Sequence, residues 1–315
     1  LSPDGRHLPF FGYGDVDDQD MKLTSIPPHL VPAFTLAEAR DAAVDARDLR
    51  SRELERPFHG TRAVRKIDDW QRLQLLARAL PVHTFACGPT AAVVHGIPVP
   101  SAVQRDAFGR PTIAVSYPRN RIRGRGVRGR SLRIAESELV IRRRIRVTSA
   151  ARTWLDLSAE LDLPAFVAAT DFLIARRRRR CTRDELAAVH AASPRAPGAH
   201  NRRRALELCS ENSESPRESE LRCVLELAGL PRPECNVEIY DGARFVARVD
   251  IIYPAQKLIV EYYGDYHRDA DQWSRDEMRR AELESLGYRV TVVTRRDFDD
   301  LQGLAARILR LLLAS

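Results

Sequence analysis

The chain has 315 residues, 44% of them hydrophobic and 30% charged, with a formal net charge of +8. That length holds two or three cores rather than one, and the balance is that of a globular chain. No apolar run reaches the ~18–20 residues needed to cross a bilayer, and no charged-then-apolar leader opens the sequence, so a cytoplasmic protein with no membrane partner is expected.

Five cysteines, Cys87, Cys181, Cys209, Cys223 and Cys235, are scattered without a CxxC pair. They indicate neither a disulfide framework nor a zinc site and read as small core residues. Residues 1–20 hold five aspartates against one arginine, with three glycines and no periodicity, and the first methionine is Met21. They read as a disordered tail, or as a start assigned too far upstream. The positive charge is concentrated: residues 111–210 carry 22 arginines against nine acids. Such clustering favours a polyanionic partner. With only Lys22, Lys66 and Lys257 as lysines, part of the arginine count also reflects coding bias.

In chain order, residues 21–66 predict a small winged helix-turn-helix module. Thr35 caps TLAEARDAA, Asp45 caps ARDLRSREL, and ERPFHGTRAV is extended. The second helix would offer Arg47, Arg50 and Arg52 to a DNA groove, although arginines on an exposed helix face are commonly just solvated. Residues 67–199 form a basic middle domain of mixed elements. IDDWQRLQLLARAL has helical spacing, PTAAVVHGIPVP starts as a buried helix, and PTIAVSY, SLRIAE and RIRVT read as strands. In RNRIRGRGVRGR, Arg121, Arg123 and Arg125 sit among glycines, a pattern that can follow a phosphate backbone without specifying sequence. Two helices over 148–174 continue into Arg176–Arg180 as a charged helix end, and ASPRAPGAH is the linker before a last domain at 200–315.

That last domain is well punctuated. SPRESELRCVLELAGL is a helix with Ser215 as N-cap and Glu218 at the capping-box position. VEIYDGARFVARVDIIY is a hairpin turning at Asp241-Gly242, and KLIVEYY is an almost wholly apolar, central strand. An amphipathic helix, the strand RVTVVT and an apolar-faced helix follow, giving the order αβββαβα.

SPRE, Asp250 at the end of one strand, VEYYGDYH, and DEMRRAELESLG with Asp276, Arg279, Leu283 and Gly287 together resemble the Vsr-like endonuclease domain family within the PD-(D/E)XK nucleases, over about residues 213–297. FTLAEARDAA, LERPFHGTRA, TAAVVHG and VTSAARTWLDL more loosely resemble actinobacterial proteins that join an AbiEi-antitoxin-like winged helix to such a domain. The fold expected is therefore multidomain α+β/α/β: a winged-helix-like module, a basic middle domain, and a PD-(D/E)XK-type αβββαβα domain. The resemblance implies DNA as partner and Mg²⁺ or Mn²⁺ as cofactor.

Chemistry supports the same residues. Carboxylates on adjacent strand ends can share one Mg²⁺ and leave positions for water and a scissile phosphate. Asp250 and Glu261 are the candidate ligands, and Glu218 adds a direct or water-mediated contact. His267 is the candidate proton-transfer group, and Arg279 the candidate phosphate clamp. Each residue has a second reading: helix capping for Glu218, ion pairing with Arg248, Arg279 or Arg280 for Asp250, a plain surface position for His267. Where the family pattern places an aspartate two residues after the glutamate, this chain has Tyr263, which supplies no negative charge near neutrality. Asp265 is a possible substitute ligand from a different point of the turn. Two further readings stay open: a catalytically inactive DNA-binding regulator or antitoxin-like factor, and a module that binds a toxin-like protein partner.

Overall fold

A computed structural model describes residues 25–263 and 270–314. The expected tail at 1–20, Asp265 and His267 lie outside the described residues. Mixed α/β architecture is observed, built in two compact units: one runs through Val82 and takes in Gly124–Gly126, the other holds the rest. No helix among the described residues is long and apolar enough to cross a membrane.

In the first unit, β1 (Ala33–Thr35) pairs antiparallel with β2 (Thr61–Ala63), with Thr35 opposite Thr61. Thr35 caps α1 (Leu36–Asp41) through a reciprocal box: its hydroxyl accepts from the Glu38 amide at 3.1 Å, and the Glu38 carboxylate accepts from the Thr35 amide at 2.8 Å. Helix α2 (Asp69–Ala79) belongs to this unit, and its Arg78 reaches both Glu38 and the Ala33 carbonyl at 3.0 Å. Buried Ile26, Leu30, Phe34, Ala39 and Leu54 make the small core. The expected second helix does not form. Ala43 turns left-handed, the Asp45 carboxylate accepts from the Arg47 amide at 2.6 Å, and only a 3-10 turn, Asp48–Arg50, follows. Local side-chain bonds of Asp45 and Ser51 compete with a helix too short to nucleate.

The second unit begins with a five-stranded sheet of β3 (Thr84–Ala86), β4 (Thr112–Ser116), β5 (Arg128–Leu132), β6 (Leu139–Arg142) and β7 (Ile145–Thr148), in the spatial order β5-β4-β3-β7-β6. Helices α3 (Gly88–His95) and α4 (Ser101–Gly109) connect β3 to β4. After the sheet come α5 (Ala150–Leu157), α6 (Leu163–Ile174), α7 (Arg183–Ala192) and α8 (Ala199–Leu208). Trp154, Phe166, Leu173 and Leu186 lie in the buried cluster these helices share. The arginine run does not extend α6: the helix stops at Ile174, and Arg176–Arg178 form a 3-10 turn. Acids elsewhere hold it, with Arg176 and Arg179 on Glu211 and Arg177 on Glu214. Adjacent arginines on one helix end would repel, and a turn lets each find its own carboxylate.

Residues 216–313 follow the expected order αβββαβα: α9 (Pro216–Leu227), β8 (Glu234–Asp241), β9 (Arg244–Tyr253), β10 (Leu258–Tyr263), α10 (Ala270–Ser285), β11 (Arg289–Thr294) and α11 (Leu301–Leu313). The sheet order is β11-β10-β9-β8, antiparallel except between β10 and β11, which α10 connects. The apolar run that predicts a central strand is buried: Leu258, Ile259 and Val260 are fully covered. All five cysteines are free and buried, as small core residues should be.

By packing, residues 67–82 go with the first unit, and residues either side of 199 go together in the second. Two buried arginines account for the latter. Arg202 of α8 donates to the carbonyls of Ser193, Ala196 and Pro197 and to the Ser158 hydroxyl, which clamps the segment that reads as a linker. Within that segment Gly198 has φ +79°, and a Cβ there would fall 2.3 Å from Ser158 Oγ. Arg222 of α9 meets Asp171 of α6 at 2.8 Å with both side chains about 1% exposed, and it also bonds Glu226 at 2.5 Å and the Leu208 carbonyl. Asp171 takes the Ser210 amide at 2.7 Å on its other oxygen. Replacing Asp171 with alanine strands the buried guanidinium, so Asp171→Ala is expected to lower stability by roughly 3–5 kcal/mol in urea denaturation, while Asp171→Leu with Arg222→Met recovers most of the loss.

Candidate metal centre

The site grows from the way β9 and β10 part. Their ladder pairs Leu258 with Tyr253, Ile259 with Ile252 and Val260 with Ile251, and there it ends. The next positions in register are Glu261 and Asp250, so both carboxylates project from one face of the sheet where the strands open. In place of a ladder bond, Asp250 Oδ2 accepts from the Tyr262 amide at 2.9 Å. Strand β10 keeps its parallel pairing on the other side, with Glu261 opposite Val292 and Tyr263 opposite Thr294. Tyr263 alternates onto the same face as Glu261.

Helix α9 supplies the third carboxylate. Ser215 Oγ accepts from the Glu218 amide at 3.2 Å, the bond expected of an N-cap. The Glu218 side chain does not complete a capping box on Ser215. It reaches one residue further, accepting from the Glu214 amide at 3.1 Å, and takes Asn236 Nδ2 at 2.7 Å. Asn236 sits in β8 with φ +53°, a left-handed conformation that asparagine tolerates better than most residues. Both bonds fall on Oε2, so Oε1 of Glu218 has no bonded partner among the described residues. Asn236 was not legible as a site residue, since its role depends on a backbone twist that neighbouring residues do not encode.

Electrostatics bind the three acids together. Burial, then Asp250, pushes Glu261 up to about 7, with Asp276 and Glu218 adding to the rise and Arg279 opposing it. Asp250 is also raised, by burial and Glu218, against the Tyr262 amide, Arg279 and Arg248. Arg279 of α10 stands 3.6 Å from Glu261 Oε2 and 3.8 Å from Asp276. Oε1 of Glu261 is buried with no hydrogen-bond partner among the described residues. A buried carboxylate oxygen without a donor is costly unless protonated or met by a cation. Among the described residues no three His, Cys, Asp or Glu side chains crowd around one point as a finished metal cage. Asp250 and Glu261 nonetheless feel each other's charge, and carboxylate oxygens are the donors that a hard divalent cation prefers.

The other candidate residues lie apart from these. Arg47 and Arg50 are exposed on and beside the 3-10 turn of the first unit, where Arg50 Nε bonds the Ala46 carbonyl at 3.0 Å. Arg121, Arg123 and Arg125 are exposed in the loop after β4. Two further arginines of that stretch are structural: Arg128 pairs with Asp106 at 3.0 Å and Arg130 with Glu160 at 2.7 Å. On the α9 side of the carboxylates, Asn236, Arg248 and Glu214 line a cavity of about 410 Å³ together with Arg176–Arg178.

No family model matches this chain, and no solved structure does. It is similar to two uncharacterized proteins of Mycobacterium tuberculosis, from strains CDC 1551 and H37Rv, each 29% identical over 265 residues that cover 82% of this chain and 92% of the relative. The likeness is longer than the second unit alone, so it reaches into both.

Proposed function

We propose that residues 200–315 are a PD-(D/E)XK-type, Mg²⁺-dependent nuclease domain that hydrolyses DNA phosphodiester bonds. One observation carries this reading: Asp250 and Glu261 share a sheet face where the β9–β10 ladder opens, and Glu261 keeps a buried oxygen unbonded there. Asp250 and Glu261 would hold the ion, with Glu218 contributing through its free Oε1. A bound Mg²⁺ supplies an activated water and neutralises charge on the phosphate oxygens. The chain's own residues do the rest. Tyr262 and Asn236 fix the carboxylates, and Arg279, displaced from Glu261, would clamp a phosphate oxygen. His267 is proposed to move the proton. Exposed Arg121, Arg123 and Arg125 support DNA as substrate, as do Arg47 and Arg50 in the first unit.

A second reading, DNA binding without hydrolysis, is favoured by the Arg279–Glu261 contact. It gives Glu261 an internal cation, and Tyr263 adds no charge for a metal. The two readings separate on incubating the protein with single-stranded, nicked, mismatched and duplex DNA in Mg²⁺ or Mn²⁺. Cleavage that falls to background in Asp250→Ala and in Glu261→Ala is the expected result; cleavage unchanged in both removes the site.

A second measurement needs no substrate. Because Glu261 has its proton affinity raised in the fold, from 4.5 to about 7, the native state holds a proton that the unfolded chain releases in between. Stability is therefore fullest below pH 4.5 on this account and falls as pH rises through 7. Melting curves at several pH values should show that fall in the wild type and a smaller one in Glu261→Gln. At pH 8, Mg²⁺ should restore wild-type stability, by about 2.7 kcal/mol at a hundredfold excess over its dissociation constant, and leave Glu261→Gln unchanged. No restoration by Mg²⁺, together with no cleavage of any DNA, selects the second reading.

A further inference from the structure

A separate groove of about 910 Å³ opens in the second unit between the β6–β7 hairpin, the start of α5 and the residues after α6. Arg142, Arg143, Arg179 and Arg180 line it, and Glu185 is the one acid in its wall. The Glu185 carboxylate accepts from the Thr182 amide at 2.8 Å to cap α7, which orients it and leaves one negative charge against four positive ones. Arg179 is matched by Glu211. Arg180 is pinned by the His95 carbonyl and lies 4.7 Å over the Phe172 ring, neither of which cancels its charge. Arg142 is exposed and has no ion-pair partner among the described residues. The chain behaves differently where arginines are structural, as in Arg128–Asp106, Arg130–Glu160 and Arg152–Asp156.

The hairpin tip adds a second observation. Arg142 pairs with Ile145, so Arg143 and Arg144 are the two central residues of the turn, at φ +49° and +64°. A two-residue turn of this kind favours Asn-Gly, and a non-glycine residue held left-handed is strained. Two arginines occupy it instead, both exposed. Arg180 is pushed down by burial and then by repulsion from Arg142, Arg178 and Arg143. His95, on the same wall, is lowered by burial against its bond to Thr148, with Arg142 and Arg180 adding to the fall. Among the described residues no Phe, Tyr or Trp lines the groove, and its one ring, His95, is tied to the Thr148 carbonyl, so charge and not stacking dominates what it offers. Its chemistry is that of a phosphate site.

We propose that the groove between the Arg142–Arg144 hairpin tip and Arg179–Arg180 binds the backbone phosphates of a nucleic-acid strand. Arg176–Arg178 line the neighbouring cavity beside Asn236, where Glu211 and Glu214 pair with two of them, so one stretch of five arginines borders both openings. Binding here does not depend on hydrolysis and is measured without metal, which keeps its failure distinct from failure of the nuclease reading.

The test is fluorescence anisotropy with labelled single-stranded and duplex DNA and RNA in EDTA across a salt series, comparing the wild type with Arg142→Gln/Arg143→Asn. Asparagine suits a left-handed position, so the variant is expected to melt at or above the wild-type temperature. Arg142→Gln alone, at an exposed strand end, is the second variant, and Arg195→Gln, outside the groove, is the charge-matched control. Loss of about two phosphate contacts predicts a binding constant at least roughly tenfold lower and a log K against log salt slope shallower by about two for duplex DNA. The single variant should show about half the slope change, and the control almost none. Unchanged affinity and slope in the double variant overturn the proposal. So does a groove that binds inorganic phosphate or a nucleoside triphosphate while no nucleic acid binds the wild type.

Discussion

The contact between Arg222 and Asp171 sets the geometry of everything C-terminal to it. Burying two opposite charges gains little net stability, because desolvation offsets their attraction, but it imposes a strict position on both partners. Arg222 lies one turn after Glu218 on α9, on the same face of that helix. Locking its guanidinium between Asp171, Glu226 and the Leu208 carbonyl fixes the rotation of α9 about its own axis. Glu218 is thereby held toward Asn236 and the open end of β9 and β10. The helix belongs to one layer of the chain and its carboxylate serves another, and the ion pair couples them.

The carboxylates gather in a place that disfavours their charge. Burial and mutual repulsion raise Asp250 and Glu261, and Arg279 at 3.6 Å offsets only part of this. Such an arrangement stores a demand for positive charge that either a cation or a proton can meet. Groups with perturbed proton affinity in an opening are candidates for function, and structural ion-pair networks perturb such groups as well. Here the opening is a property of strand register rather than of a loop, which makes the spacing of the two acids rigid.

Much of the C-terminal architecture was legible in the sequence. Ser215, Pro216 and the Asp241-Gly242 turn are local signals, and the apolar run of β10 leaves no alternative to a buried strand. Asp250 and Glu261 stood out for the same reason, as acids at the ends of apolar runs. Strands β3 and β6 went unread because three or four residues are too few to show a period. The helix expected after Asp45 failed because aspartate and serine side chains satisfied the backbone locally, where an N-cap and a turn begin alike. Arg176–Arg180 reads as a helix end because composition records charge and not the acids, thirty or more residues away, that hold it. Asn236, the partner of Glu218, gave no signal at all.

The segment 191–199 has the proline, glycine and serine content of a hinge, yet Arg202 fastens it by three hydrogen bonds and Gly198 is there because Ser158 leaves room for nothing larger. Composition alone would make it a seam along which a gene could exchange one half for another. The packing says otherwise: a C-terminal half transplanted at residue 200 would carry Arg222 away from Asp171 and Cys223 away from the helices that cover it. The carboxylate site and the arginine-rich region before it are thus inherited as one piece, and selection acting on either constrains the sequence of both.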